Sequence, residues 1–95
     1  MMEADYVETY CPHMNGQIEI TLSDRTRVDC LTPTHAIEFD WCNKWAEAIG
    51  QALYYSKMTG RMPVIALICK PDEARFVDRA KFAMPDIEII VIPKQ

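Results

Sequence analysis

The sequence predicts an α/β domain built on a mixed sheet. Three observations carry this. Three short alternating runs between residues 17 and 40 are joined by connections too short for anything but hairpins. The apolar run Val64–Cys69 does not alternate, as in a strand covered on both faces. Helix-forming segments stand before the hairpins and on either side of that run. The chain has 95 residues, of which 49% are hydrophobic and 25% charged. That suits one globular domain spanning residues 1–95, with one core and little surplus.

Taken in order, residues 2–10 form a short helix stopped by Pro12. Gly16 is a turn residue. Gln17–Leu22 alternates polar and apolar, Ser23-Asp24-Arg25 turns, and Arg27–Leu31 alternates again. Thr32-Pro33-Thr34 is a second turn, with the proline outside any ladder. His35–Asp40 is the third strand of an antiparallel meander. Residues 42–59 are rich in strong helix formers, and Gly60 stands where a C-terminal glycine cap belongs. Pro63–Cys69 is the covered strand. A helix opens at Pro71-Asp72 and closes before Met84-Pro85, and residues 87–92 form a last strand. The order is αβββαβαβ.

The longest apolar run is six residues, far short of the roughly 20 a membrane span needs. The first residues, Met-Met-Glu-Ala-Asp, offer neither a basic nor an apolar region, so no secretory signal is expected. Cys11, Cys30, Cys42 and Cys69 show no CxxC spacing. Free thiols and a cytoplasmic location are the expectation. Cys11-Pro12-His13 has no second ligand pair at zinc-finger spacing, which leaves a free thiol and a turn histidine.

The net charge of −4 argues against a generic DNA-coating protein. Its distribution is uneven: residues 1–40 carry eight acids and two bases, and residues 41–70 carry one acid and four bases. On a strand, residues two apart share a face. Ala36, Glu38 and Asp40 therefore point one way and Ile37 and Phe39 the other, while Arg27, Asp29 and Leu31 share a face of the preceding strand. A tight 32–34 turn sets Asp29 beside Glu38 and Asp40. Three carboxylates on one patch repel, and a hard cation such as Mg²⁺ relieves them. The alternative is that these acids face water or pair with Arg25 and Arg27. On the following helix, Lys44, Glu47, Gln51, Tyr55 and Met58 fall within one stripe bordering the apolar arc. Lys44 then either leans back over the strand end or pairs with Glu47 at the surface.

The stretch VDCLTPTHAIEFDWCNKWAEAIGQALYY, behind a helix carrying Glu8, resembles the PD-(D/E)xK nuclease-like superfamily. The resemblance covers nearly the whole chain and implies a restriction endonuclease-like core. Asp29 matches the first acidic motif and Glu38 the second. Gly50-Gln51 followed by Tyr54 and Tyr55 partly keeps a GQxxxY-like helical motif. The family's lysine, two residues after the second acid, is replaced by Asp40. Lys44 on the helix is placed to substitute, as in members whose lysine has migrated.

The resemblance implies a metal-dependent nuclease cutting phosphodiester bonds in nucleic acid, DNA foremost. Asp29, Glu38 and the Phe39 carbonyl would hold Mg²⁺ or Mn²⁺, with Asp40 as a further ligand or a partner of a metal water. Lys44 would orient the attacking water or neutralise the phosphate, Gln51 would fix a water or a phosphate oxygen, and Glu8 would be the optional acid of the first helix. Lys44, Tyr55, Lys57 and Arg61 would contact the nucleic acid. If Lys44 does not reach the site, the same fold would bind nucleic acid or protein without cutting. A homodimer is expected, since it would set two sites on opposite strands.

Overall fold

The computed structural model describes residues 1–95. The element order is α1 (Glu3–Tyr10), β1 (Gln17–Thr21), β2 (Arg27–Leu31), β3 (His35–Trp41), α2 (Trp45–Thr59), β4 (Met62–Cys69), α3 (Ala74–Ala83) and β5 (Glu88–Pro93). This is the αβββαβαβ order expected. The five strands lie in the sheet in chain order. β1, β2 and β3 pair antiparallel through short turns, and β3, β4 and β5 pair parallel through α2 and α3. The mixed sheet thus follows from connection length, since parallel neighbours need a crossover.

The two faces of the sheet are covered separately. Tyr6 and Val7 of α1 pack with Ile37, Phe39, Val64, Ala66 and Ile68. Ala48 and Ala52 of α2, with Val77 and Ala80 of α3, pack with Ile65 and Leu67. β4 is therefore buried on both sides, which is why its sequence shows no alternation. Gly60 closes α2 at φ 70, the left-handed cap its position suggests. The segment 42–59 is not one α-helix. Cys42–Lys44 form a 3₁₀ turn, and Lys44 is the N-cap of α2. No helix is long and apolar enough to cross a membrane.

The cysteines correct the free-thiol expectation, and with it the basis for a cytoplasmic location. Cys11 is bonded to Cys30 and Cys42 to Cys69, leaving none free. The partners are 19 and 27 residues apart and meet only through the fold, at Cα separations of 5.7 and 4.8 Å. Local spacing therefore carried no sign of them. The turn at Gly16 owes its glycine to the first bridge. A Cβ there would lie 2.3 Å from the Cys30 sulfur and 2.6 Å from that of Cys11.

Candidate functional site: a carboxylate crevice between two strands

β2 and β3 part at the acids. Their backbone pairing covers Cys30–Ile37 and Leu31–Ala36 and goes no further. At the next position the side chains take over. The Asp29 N–H donates to Glu38 Oε2 at 2.8 Å, and the Phe39 N–H donates to Asp29 Oδ2 at 2.9 Å. Each carboxylate thus replaces a carbonyl of the opposite strand, and the strands stand apart by the extra reach. Asp40 acts more locally, its Oδ1 accepting the Trp41 N–H at 2.9 Å.

The parting comes with a twist in the first hairpin. Glu19 stands opposite Asp29, and the β1–β2 ladder omits that pair alone between residues 17 and 21. Glu19 adopts φ 51, which a residue with a side chain seldom does. Val28 packs with Ala36 and Tyr55, whereas Cys30 packs with Cys11 and Ile37 on the other side. Two residues that ideal alternation puts on one face are thus on opposite faces. The shared face expected for Arg27, Asp29 and Leu31 is not kept, because the strand turns over at Asp29.

Four carboxyls act on one another's charge here. Glu38 and Asp40 are 3% and 6% exposed, and Asp29 is partly buried. Burial raises the pKa of Glu38 above the usual carboxylate range, helped by the charge of Asp29 and then of Glu3 and Asp40. Asp29 is raised by burial and by Asp40 and Glu19, against the hydrogen bond from Phe39. Asp40 is raised by burial and Glu47 and lowered by its Trp41 hydrogen bond and Lys44. The fourth acid is Glu3, in the first turn of α1, pushed up to about 7 by burial and then by Asp40 and Asp29. The helix-one acid at the gap is thus Glu3. Glu8, five residues on and some 140° around the helix, is exposed. The burial of Tyr6 and Val7 sets that rotation.

Such an arrangement predicts an inverted pH dependence of stability. The unfolded acids release their protons near their ordinary values, 3.8 for Asp and 4.5 for Glu. The folded ones keep theirs to higher pH, so above about pH 4 the native state binds more protons than the unfolded state, and stability falls as pH rises. The urea midpoint of the metal-free protein should therefore drop between about pH 5 and 8. Glu38→Gln, whose amide oxygen can still accept the Asp29 N–H, should flatten the decline and exceed the parent at the upper end. A Gln variant as steeply pH-dependent as the parent would show that Glu38 ionises without cost.

The remaining sequence candidates divide by position. Lys44 is exposed at the rim, close enough for its charge to lower the pKa of both Asp40 and Glu3, and it forms no ion pair within 4.0 Å. Glu47 and Tyr55 of α2 both bear on the carboxylates electrostatically. Gln51 lies between them on the same stripe and is exposed. Tyr55 is only 8% exposed, packed with Val28 and Ala36 within the field of Glu38 and Asp29, so it is a buried neighbour of the carboxylates and not a surface contact. The neighbouring Tyr54 points elsewhere and donates to Asp24.

Lys57 and Arg61 fall outside the site. Lys57 is 13 residues along from Lys44, roughly 20 Å at 1.5 Å per residue. Arg61 precedes β4 at the opposite end of the sheet, and its Nη1 donates to the Thr32 carbonyl at 2.9 Å. It is a strut for the 32–34 turn. The length of α2 carries both residues away from the carboxylates.

The donors suit a hard cation. Asp29, Glu38 and Asp40 each commit one oxygen to a backbone N–H. No fully buried side-chain oxygen lacks a partner, so their second oxygens reach solvent. Within a strand, a residue's N–H and C=O point to the same side. The Phe39 N–H faces Asp29, so its carbonyl also faces the gap, where no β2 partner meets it. No group of three or more His, Cys, Asp or Glu is already drawn together at ligand spacing. Mg²⁺ can be held by one or two carboxylates with water completing its shell. No family model, curated protein or solved structure matches the chain.

Proposed function

We propose that the crevice is the active site of a small metal-dependent nuclease with a restriction endonuclease-like core, cutting phosphodiester bonds in DNA. The observation that carries this is the parting of β2 and β3 at Asp29 and Glu38. Each carboxylate is fixed by the opposite strand's backbone, leaving a second oxygen and the Phe39 carbonyl open to the gap. Asp29, Glu38 and Phe39 would hold Mg²⁺ or Mn²⁺, with Asp40 beside it. When bound, such an ion lowers the pKa of its water and offsets charge developing on the phosphate.

The chain supplies the rest. The backbone N–H groups of Asp29 and Phe39 keep the two carboxylates from rotating. Lys44 brings a positive charge from the rim to the phosphate, where the family's strand lysine is replaced by Asp40. Gln51, exposed on α2 between Glu47 and Tyr55, would orient a phosphate oxygen. Raised carboxyl pKa values support the same reading, because acids held against their charge gain most from a cation.

Calorimetric titration with Mn²⁺ tests the site. The parent should bind, and Asp29→Asn should lose binding by at least tenfold while its circular dichroism is unchanged. Equal affinity in the two proteins would end the assignment. Incubating labelled single-stranded, duplex and branched DNA with Mg²⁺ or Mn²⁺ tests the activity. A two-fold dimer by light scattering is the assembly expected. One observation favours a second reading: Lys44 is exposed and unpaired while Asp40 fills the lysine position. Metal binding without cleavage of any of these DNAs would support a binding module on the same fold.

A further inference from the structure

The three parallel strands all deliver cations to one place. β3 ends at Trp41 and runs into Lys44, Lys70 follows β4, and Lys94 follows β5. These residues, with Asn43 and Glu73, line a pocket of about 270 Å³. It lies outside the carboxyl ends of the parallel strands, where open α/β sheets bind ligands. Lys44 and Glu73 are also the N-caps of α2 and α3, and neither helix has a side-chain cap. Two uncapped helix N-termini therefore add partial positive charge at the pocket.

Of the charges lining the pocket, three are positive and one negative. The acid is already engaged, since Glu73 Oε1 accepts the Lys70 N–H at 2.8 Å. The Lys94 ammonium lies over the Trp41 ring, 4.8 Å from its centroid, and the Lys94 N–H donates to the Cys69 carbonyl at 2.9 Å. The Cys42–Cys69 bridge ties the Lys44 turn to the end of β4. The cations are therefore carried on braced segments.

Two features flank the pocket. On one side the charge of Lys44 also acts on Asp40 and Glu3. On the other side it shares Lys70 and Lys94 with a larger groove of about 490 Å³ that includes Val77, Asp78, Lys81 and the exposed Val91. A lone small anion would need only the first pocket. Lysines shared between the pocket and the groove, with Lys44 beside the carboxylates, suit a polyanion.

We infer that the Lys44–Lys70–Lys94 pocket binds a backbone phosphate of a DNA strand, next to the phosphate presented to the carboxylate crevice. The choice of DNA rests on the proposed nuclease reading. The anion pocket itself does not depend on metal or cleavage.

The test is binding of a fluorescein-labelled single-stranded DNA oligonucleotide in EDTA, followed by anisotropy over a range of salt. The double variant Lys70→Ala with Lys94→Ala should weaken binding tenfold or more. It should also reduce the slope of log affinity against log salt by about 1–2, as expected for two lost phosphate contacts. A charge-matched control, Arg25→Asn with Arg79→Ala, should change either quantity much less; asparagine tolerates the φ of 73 at position 25. Equal losses in the two double variants, or none in the first, would overturn the pocket. Melting curves of all three proteins establish that the fold is kept. Cleavage with Mn²⁺ is scored separately. If the parent does not cut but the Lys70/Lys94 variant still loses binding, the nuclease reading fails and the pocket stands. If both cut and bind alike, the pocket fails and the nuclease reading stands.

Discussion

Replacing Lys44 by alanine should lower the rate of metal-dependent DNA cleavage by about 10²–10³, the usual effect of losing one preorganised electrostatic donor at a reacting centre. The expectation starts from position. Lys44 ends the 3₁₀ turn that follows β3, four residues beyond Asp40, and its charge is felt by Asp40 and by Glu3 across the gap. No carboxylate neutralises it within 4.0 Å, so its ammonium remains free to meet a phosphate. Mn²⁺ affinity should not fall in the variant. Removing a cation beside carboxylate ligands can only make the crevice more attractive to a metal. Lys44→Arg should recover part of the rate, because charge is restored although the donor geometry differs. Cleavage at the parent rate by Lys44→Ala would show that Lys44 takes no part in the chemistry. Parallel loss of Mn²⁺ binding and rate would mean that the substitution damaged the turn and not the chemistry.

The parts of this site that were legible in the sequence are those set by short-range geometry. Asp29 and Glu38 stand on two strands joined by a three-residue turn, so their approach follows from register alone. The chain order of the sheet follows likewise from connection lengths. Three other features were not legible because they depend on how elements dock. Glu3 reaches the gap in place of Glu8 because the burial of Tyr6 and Val7 fixes the rotation of α1. The face change at Asp29 accompanies a positive φ at Glu19, and glutamate carries no local sign of that conformation. The Lys44–Lys70–Lys94 pocket draws on residues that follow three separate strands, and no periodicity within one element connects them. A reader of the sequence had one usable cue for it: each of the two later lysines follows directly on an apolar strand.

The second large effect concerns the disulfides. Reducing them, or replacing Cys42 and Cys69 together by serine, should cost stability on a scale comparable with the whole domain. Closing loops of 19 and 27 residues removes chain entropy from the unfolded state worth about 3–4 kcal/mol each. A domain of this size is stable by only about 5–15 kcal/mol. At about 4–8 °C per kcal/mol, one lost bridge should lower the melting temperature by on the order of 10–30 °C. The effect should extend to function, because both bridges end beside the crevice. Cys30 follows Asp29, and Cys42 lies midway between Asp40 and Lys44. The Cys42–Cys69 bridge is also buried between the end of β3 and the end of β4, so its loss frees the turn that carries Lys44. Mild reduction should therefore lower activity at temperatures where circular dichroism still reports a folded protein. Thiol titration checks the premise directly. The native protein, purified without reductant, should show no free thiol, and four after denaturation and reduction. Four reactive thiols without reductant, or a melting temperature indifferent to dithiothreitol, would overturn this account of what holds the crevice together.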